Sequence, residues 1–395
     1  MSVAIVGGGP VGLMCALGLA RQGIAVDLFE AEADIVYSPR AIGYAWPILQ
    51  ALRAHGLLDD MIAAGSIEHE RCWRVLASSE TIVFDHSAVA DDTDTPFSLT
   101  LGQHLLARVL LNHLERKPSA RIHWNSRVSS VSQCGDHVEL TIERGDGVET
   151  MDAAWTIGTD GGRSTVRRSI GLPMEGFTWD RRFVATDIHY DFAAHGWRSC
   201  YLIDPVHGAV VYQLNEPGLW RFTYAEDRAL PVEGALDRMP AFLRAALPGD
   251  EAYALQNFSP YNMHQRTAPR YRQGRVLLAG DAAHLTNPTS GFGLMGGLYD
   301  AFLLVEALGA VVRGEIGEEV LDRYATARRN VFLDVISPVS IESLRLCFDS
   351  TNPERLAWDI AQLRERIATP ARMRASLWVP AALETPSLLT GRTYV

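Results

Sequence analysis

The chain has 395 residues, too many for one simple core, which predicts two or three domains. Hydrophobic residues make up 47% and charged residues 21%, an ordinary globular mix that argues against disorder. The formal net charge is −11 and no block rich in Lys or Arg occurs, so neither nucleic acid nor an anionic membrane is an expected partner.

The five cysteines (Cys15, Cys72, Cys134, Cys200 and Cys347) are odd in number, far apart and form no CxxC pair. Reduced thiols in a cytoplasmic protein are expected, with no disulfide framework and no metal site. No apolar run is read as reaching the roughly 18 residues that span a bilayer. The apolar start, residues 2–6, lacks the basic region of a signal peptide.

Residues 2–6 read as a buried strand, 11–22 as a helix stopped by Gly23, and 24–29 as a second apolar strand. Such β-α-β units build parallel sheets. Ser38-Pro39-Arg40 breaks the pattern, and residues 47–58 read as a helix with Pro47 in its first turn. Residues 73–100 alternate around a turn-rich stretch at 91–96. An amphipathic helix follows over 103–116. Residues 121–124, 126–131, 137–142 and 149–157 read as strands, with a hairpin turn at Gly145-Asp146-Gly147. Aromatic-rich strands occupy 182–228, a buried strand 276–279, and helices 293–312 and 317–347. The simplest organisation interleaves two domains. A nucleotide-binding domain takes 1–70, 101–178 and 265–330, and a β-sheet domain takes 71–100 and 179–264. A helical C-terminal segment, 331–395, closes the chain.

Gly7-Gly8-Gly9-Pro10-Val11-Gly12 carries Gly-x-Gly-x-x-Gly at a strand-to-helix turn. Gly7 permits the tight turn, Gly9 lets phosphate approach the backbone, and Gly12 lets helix and strand pack closely. The helix N-terminus offers unpaired N–H groups to a pyrophosphate. Glu30, eighteen residues past Gly12, ends the second strand and is placed to accept hydrogen bonds from ribose hydroxyls. This pattern alone does not separate FAD from NAD.

Residues 274–285 read Gly-Arg-Val-Leu-Leu-Ala-Gly-Asp-Ala-Ala-His-Leu, a buried strand ending at Gly280-Asp281. Residues 158–167 read Gly-Thr-Asp-Gly-Gly-Arg-Ser-Thr-Val-Arg. With these two motifs the chain resembles the group A aromatic hydroxylases, the p-hydroxybenzoate hydroxylase-like FAD monooxygenases, over about residues 2–330. The resemblance implies an α/β protein: an FAD-binding Rossmann-like domain of the GR2 type interleaved with a β-sheet substrate domain. It assigns Asp281 to the ribityl chain and Asp160 to indirect FAD binding. Arg163 becomes a contact for NADH or NADPH phosphates. It adds Val11, Ala31, Arg40, Gln103, Val128 and Gly280 to the cofactor set. His284 is expected to be structural.

The loop 287–297 is then expected to pass the flavin ring, with Pro288 beside the substrate. The helix from Gly293 would aim its N-terminus, about half a positive charge, at the flavin through the N–H groups of Gly293 and Leu294. Ser290, Phe292 and Met295 depart from the family's usual residues here. The resemblance implies a cycle in which NADH or NADPH reduces FAD, oxygen gives a C4a-hydroperoxyflavin, and one oxygen atom passes to a small phenolic or heteroaromatic ring. The substrate wall is expected among Arg182, Asp187, His189, Tyr201, Tyr212, Arg221 and Tyr224. Tyr212 and Tyr224 are the first choices; a tyrosine or histidine is suited to a phenol proton and an arginine to a carboxylate. His264 and Arg266 are candidates to face the nicotinamide donor. The alternatives are a tailoring or drug-modifying enzyme of a larger polycyclic substrate, a non-hydroxylating FAD dehydrogenase or reductase, and a non-catalytic flavin-bound module. Either a monomer or a homodimer fits the sequence.

Overall fold

Val3–Val6 and Val26–Phe29 are buried along their whole length, as strands covered on both faces must be. They are neighbouring inner strands of a six-stranded sheet, seen in a computed structural model that describes residues 2–37, 41–214 and 216–395. The strand order is Arg272–Gln273, Val276–Leu278, Trp155–Gly158, Val3–Val6, Val26–Phe29, Ala120–His123. All neighbours run parallel except Arg272–Gln273.

The helix Pro10–Arg21 ends before Gly23, whose φ of +76° suits glycine. It packs on the helix Phe292–Val312, where a Cβ on Gly18 would lie 2.6 Å from Val305. At 21 residues, Phe292–Val312 is long and apolar enough to cross a membrane by length and composition, contrary to the expectation that no such run exists. Its apolar window is 83% buried inside the protein, so it is a core helix.

Two expected elements divide. The strand expected over 149–157 breaks at Ala154. Gly147–Ala153 completes an antiparallel meander with Arg127–Cys134 and His137–Arg144, and Trp155–Gly158 joins the parallel sheet. The helix expected over 47–58 is Trp46–Ala54, followed by a separate Leu58–Ala64; Gly56, at φ +60°, turns the chain between them.

The second layer is an eight-stranded sheet: His284–Leu285, Ala254–Thr267, Glu175–His189, Leu219–Asp227, Ala209–Gln213, Cys200–Ile203, Glu70–Val75, Thr81–Asp85. Its later strands begin at Glu175 and run to Thr267, with His284–Leu285 added at one edge. Ser98–Thr100 instead joins a small sheet with Gly43–Tyr44 and Ser66–Glu68. One face packs on the helix Ala235–Ala246 through Val184, Phe222, Tyr224 and Leu243. The other carries Phe183, Tyr201 and Met263. The C-terminal segment includes Pro353–Ile367 and Pro370–Leu377, and its Leu377 carbonyl accepts the Trp46 indole N–H at 2.8 Å.

Candidate active site

The glycine turn is shaped by close approach. Gly7 has φ +106°, and a Cβ there would lie 2.5 Å from the Thr159 carbonyl oxygen. A Cβ on Gly12 would lie 2.0 Å from the Gly7 carbonyl oxygen, so strand and helix meet only without side chains. Around Gly9 a Cβ would meet nothing within 4 Å, which leaves open space in front of the helix N-terminus. Glu30 is held beside this turn: Oε2 accepts the Gly8 N–H at 2.6 Å and Oε1 the Glu32 N–H at 2.9 Å. Ala31 is half-buried next to it. Val128 is buried on the meander, and the nearby Ser126 N–H bonds the Glu30 carbonyl at 2.8 Å. Arg40 lies outside the described residues.

Asp160 acts through a helix. Its Oδ2 accepts the N–H groups of Thr165 and Val166 at 2.6 and 3.1 Å, capping Thr165–Ser169, and its buried Oδ1 has no partner. Burial pushes its carboxyl pKa up against these hydrogen bonds. The cap fixes the turn that carries Gly161, Gly162 and Arg163 to a cavity wall.

Gly280, at φ +57°, sits under Val11 and against Gly297, and Asp281 follows at the cavity. Asp300, fully buried in the core helix, holds this turn. It accepts the Gly280 N–H at 3.0 Å, His284 Nε2 at 2.7 Å and Arg328 Nε at 2.7 Å. Burial opposes ionisation, yet the charges of His284 and Arg328 hold the Asp300 carboxyl down at about 2. His284 is a brace. Pro288, Gly293 and Leu294 line the cavity where the core helix begins, after Gly291 at φ +74°. The departing residues have structural partners: Ser290 Oγ pairs with Ser340 Oγ at 2.6 Å, and the Met295 sulfur accepts the Ala45 N–H at 3.4 Å.

These elements enclose one cavity of about 1520 Å³, running from Gly9 and Val11 past Gln103, Asp281 and Pro288 to Tyr201 and Tyr212. That exceeds the usual ~300–1,000 Å³ of a single small-ligand pocket. The glycine cradle, Glu30 and Asp281 fit a dinucleotide, and the volume beyond leaves room for a second small molecule.

On the sheet wall the candidates separate. Tyr212 and Arg221 line the cavity. Arg221 is not available as an anion clamp, because Asp187 lies directly opposite and takes both ends of its guanidinium at 2.7 and 3.0 Å. Tyr37 donates to the same carboxylate at 2.6 Å. Arg182 is held by Glu226 at 2.6 Å. Tyr224 is a correction: it points to the other face, stacked 4.0 Å from Phe242 with its hydroxyl buried and unpartnered. His189 is another, since it sits at a strand end beside Glu216 and does not line the cavity. Tyr212 is pushed well up by burial, then by Tyr201, so it is a protonated donor and not a base. Arg71 and His86 also line the cavity; Arg71 precedes the alternating stretch 73–100, and alternation announces a sheet but not its inward residues.

Arg163, Arg228, Arg266 and His264 gather on another stretch of the cavity lining. Burial, then Arg266, Arg228 and Arg163, push the His264 pKa down, and its Nδ1 lies 2.9 Å from the Thr178 hydroxyl.

The family model described as an FAD binding domain matches residues 1–337. Para-nitrophenol 4-monooxygenase of Pseudomonas sp. strain WBC-3 is 41% identical over 379 residues, 95% of this chain and 94% of that protein. The 6-hydroxy-3-succinoylpyridine 3-monooxygenase of Pseudomonas putida is 38% identical over 385 residues, 97% and 98% of the two chains. The crystal structure of p-nitrophenol 4-monooxygenase from Pseudomonas putida matches with a TM-score of 0.93 at 39% identity, over 97% of this chain and 98% of that one. A cavity that begins at a dinucleotide cradle and ends at a sheet wall, on a fold shared along its whole length with these enzymes, places the chain in the FAD-dependent aromatic monooxygenase family.

Proposed function

We propose that the chain hydroxylates a small phenolic or heteroaromatic ring, using NADH or NADPH as electron donor and molecular oxygen as co-substrate. The observation that carries this is the continuity of the cavity from Gly9 to the neighbouring tyrosines Tyr201 and Tyr212, with walls from the glycine-rich turns at one end and the eight-stranded sheet at the other. FAD, when bound, supplies electron storage and oxygen activation that no side chain of the chain provides.

The residues supply the rest. Gly9 admits a pyrophosphate to the helix N-terminus, Glu30 takes ribose hydroxyls, and Asp281 takes the polyol chain. The N–H groups of Gly293 and Leu294 favour negative charge at the start of the core helix. Trp46, Phe183, Val210 and Met263 exclude water around the ring. Tyr201 and Tyr212, edge to face with ring centroids 6.1 Å apart, present protonated hydroxyls as donors to a ring oxygen. Arg163, Arg228 and Arg266 form no ion pair among the described residues and suit the phosphates of the donor.

The test is donor oxidation, oxygen uptake and product analysis with purified FAD-loaded protein and a panel of phenols and hydroxypyridines. A hydroxylated product formed with matching oxygen uptake is expected. Donor oxidation with no ring product for any member of the panel would assign a reductase instead.

A further inference from the structure

The strand Glu70–Val75 sends alternate side chains to opposite faces. Trp73 packs in the cluster that also holds Tyr201, while Cys72 packs on the helix-covered face. Arg71 shares the parity of Trp73 and lines the cavity. It forms no ion pair and no hydrogen bond among the described residues, and its Nε is sealed from solvent with no partner. Its guanidinium carbon lies 5.6 Å from the Phe84 ring centroid. The other arginines of this wall are engaged, Arg221 by Asp187 and Arg182 by Glu226.

The tyrosines and the histidine around Arg71 are donors or neutral, and no carboxylate pairs with it among the described residues. Tyr201 and Tyr212 both feel its charge, and burial keeps both protonated. His86 Nδ1 lies 2.9 Å from the His69 carbonyl oxygen. A carbonyl only accepts, so the proton is on Nδ1 and Nε2 carries the lone pair. Burial holds His86 neutral at ordinary pH, with its pKa down at about 4, and Arg71 pushes the same way. The carboxylate on this side, Glu68, has its pKa raised by burial and accepts the Ser199 hydroxyl at 3.4 Å. A half-buried cation without a counter-charge is costly until an anion arrives.

We propose that Arg71 anchors a delocalised oxygen anion on the substrate ring, a phenolate or an acidic ring substituent, and so selects anionic over neutral rings. This rests on the hydroxylase reading and names the substrate chemistry of that cavity. Arg71 is a specificity determinant in this scheme; proton transfer is not asked of it.

The test is equilibrium binding, read from the visible difference spectrum of FAD-loaded enzyme. The ligands are 4-nitrophenol, benzoate and phenol at one mildly alkaline pH where 4-nitrophenol is ionised and phenol is not. Wild type is compared with Arg71→Met and Arg71→Lys. Loss of a charge-assisted contact predicts anion binding weaker by roughly 10–100-fold in Arg71→Met. Phenol binding should change by less than about threefold, and Arg71→Lys should recover part of the loss. Loss confined to 4-nitrophenol assigns a phenolate, and loss confined to benzoate an acidic substituent. Equal weakening of phenol and anions, no weakening of either, or a wild type that prefers neither anion over phenol overturns the proposal. Product formation from a neutral phenol would leave the hydroxylase reading standing in each of those cases. If Arg71→Met does not fold with full flavin content, Arg71→Lys and Arg71→Gln carry the comparison.

Discussion

Asp300→Asn keeps the side-chain shape and removes one charge from the centre of the protein. Asp300, His284 and Arg328 are all buried, with Asp300 and Arg328 fully so. Arg328 also donates to the Gly296 carbonyl at 3.1 Å, the Leu383 carbonyl at 2.7 Å and Thr385 Oγ1 at 2.9 Å, so it cannot swing out to water without breaking three further contacts. Breaking a buried ion pair by removing one partner costs about 3–5 kcal/mol. A carboxyl held at about 2 against an ordinary 3.8 gives a second measure, roughly 2 kcal/mol at neutral pH. The two bracket a loss of a few kcal/mol, which in a chain of this length lowers Tm by roughly 3–6 °C. Because Asp300 also bonds the Gly280 N–H beside Asp281, FAD affinity should fall with it. Urea melts of apo and FAD-loaded protein at neutral pH, together with FAD titrations, measure both. A variant within about 1 kcal/mol of wild type with unchanged FAD affinity would refute the role given to this triad.

Gly12→Ala should yield protein without flavin absorbance, since its Cβ would sit 2.0 Å from the Gly7 carbonyl oxygen; retention of the full flavin spectrum would contradict the close packing. Tyr224→Phe removes a buried hydroxyl that has no partner. Turnover should stay within twofold and stability should be unchanged or higher by about 1 kcal/mol, measured by steady-state assay and urea melt. His86 is neutral in the fold, with its pKa lowered from 6.5 to about 4. As pH falls from 6.5 toward 4 the unfolded chain binds a proton that the fold refuses, so about 3 kcal/mol should be lost across that window. Asp300 works lower: its contribution is complete above about pH 4 and disappears as pH falls toward 2. Denaturant midpoints against pH should therefore fall in two steps, and His86→Gln should flatten the upper one.

The cofactor cradle was legible because its demands are local. Gly7, Gly9 and Gly12 are needed by backbone angle and close approach within a few residues, and Glu30 ends the strand that the same unit begins. The strand before Gly280-Asp281 was legible for the same reason. The brace beneath it was not, since Asp300 stands twenty residues on in an apolar helix and its partner Arg328 comes from another.

The substrate wall shows where local reading ends. Along Leu219–Asp227, alternation says that Arg221 and Thr223 face one way and Trp220, Phe222 and Tyr224 the other. It does not say which face is the cavity, because both faces of this sheet are covered, one by Ala235–Ala246 and one by the nucleotide-binding layer and C-terminal helices. Tyr224 was therefore expected in the site and lies behind it. Arg221 suits an anion by residue type, but the register with the strand Glu175–His189 puts Asp187 against it. Arg71 and His86 reach the cavity only because Glu70–Val75 pairs with Cys200–Ile203 across the sheet. Sequence by itself determined the turns, the strand-helix-strand unit and the cofactor. Tertiary structure alone decided the inward face and the counter-charges, because both depend on pairing between segments far apart in the chain.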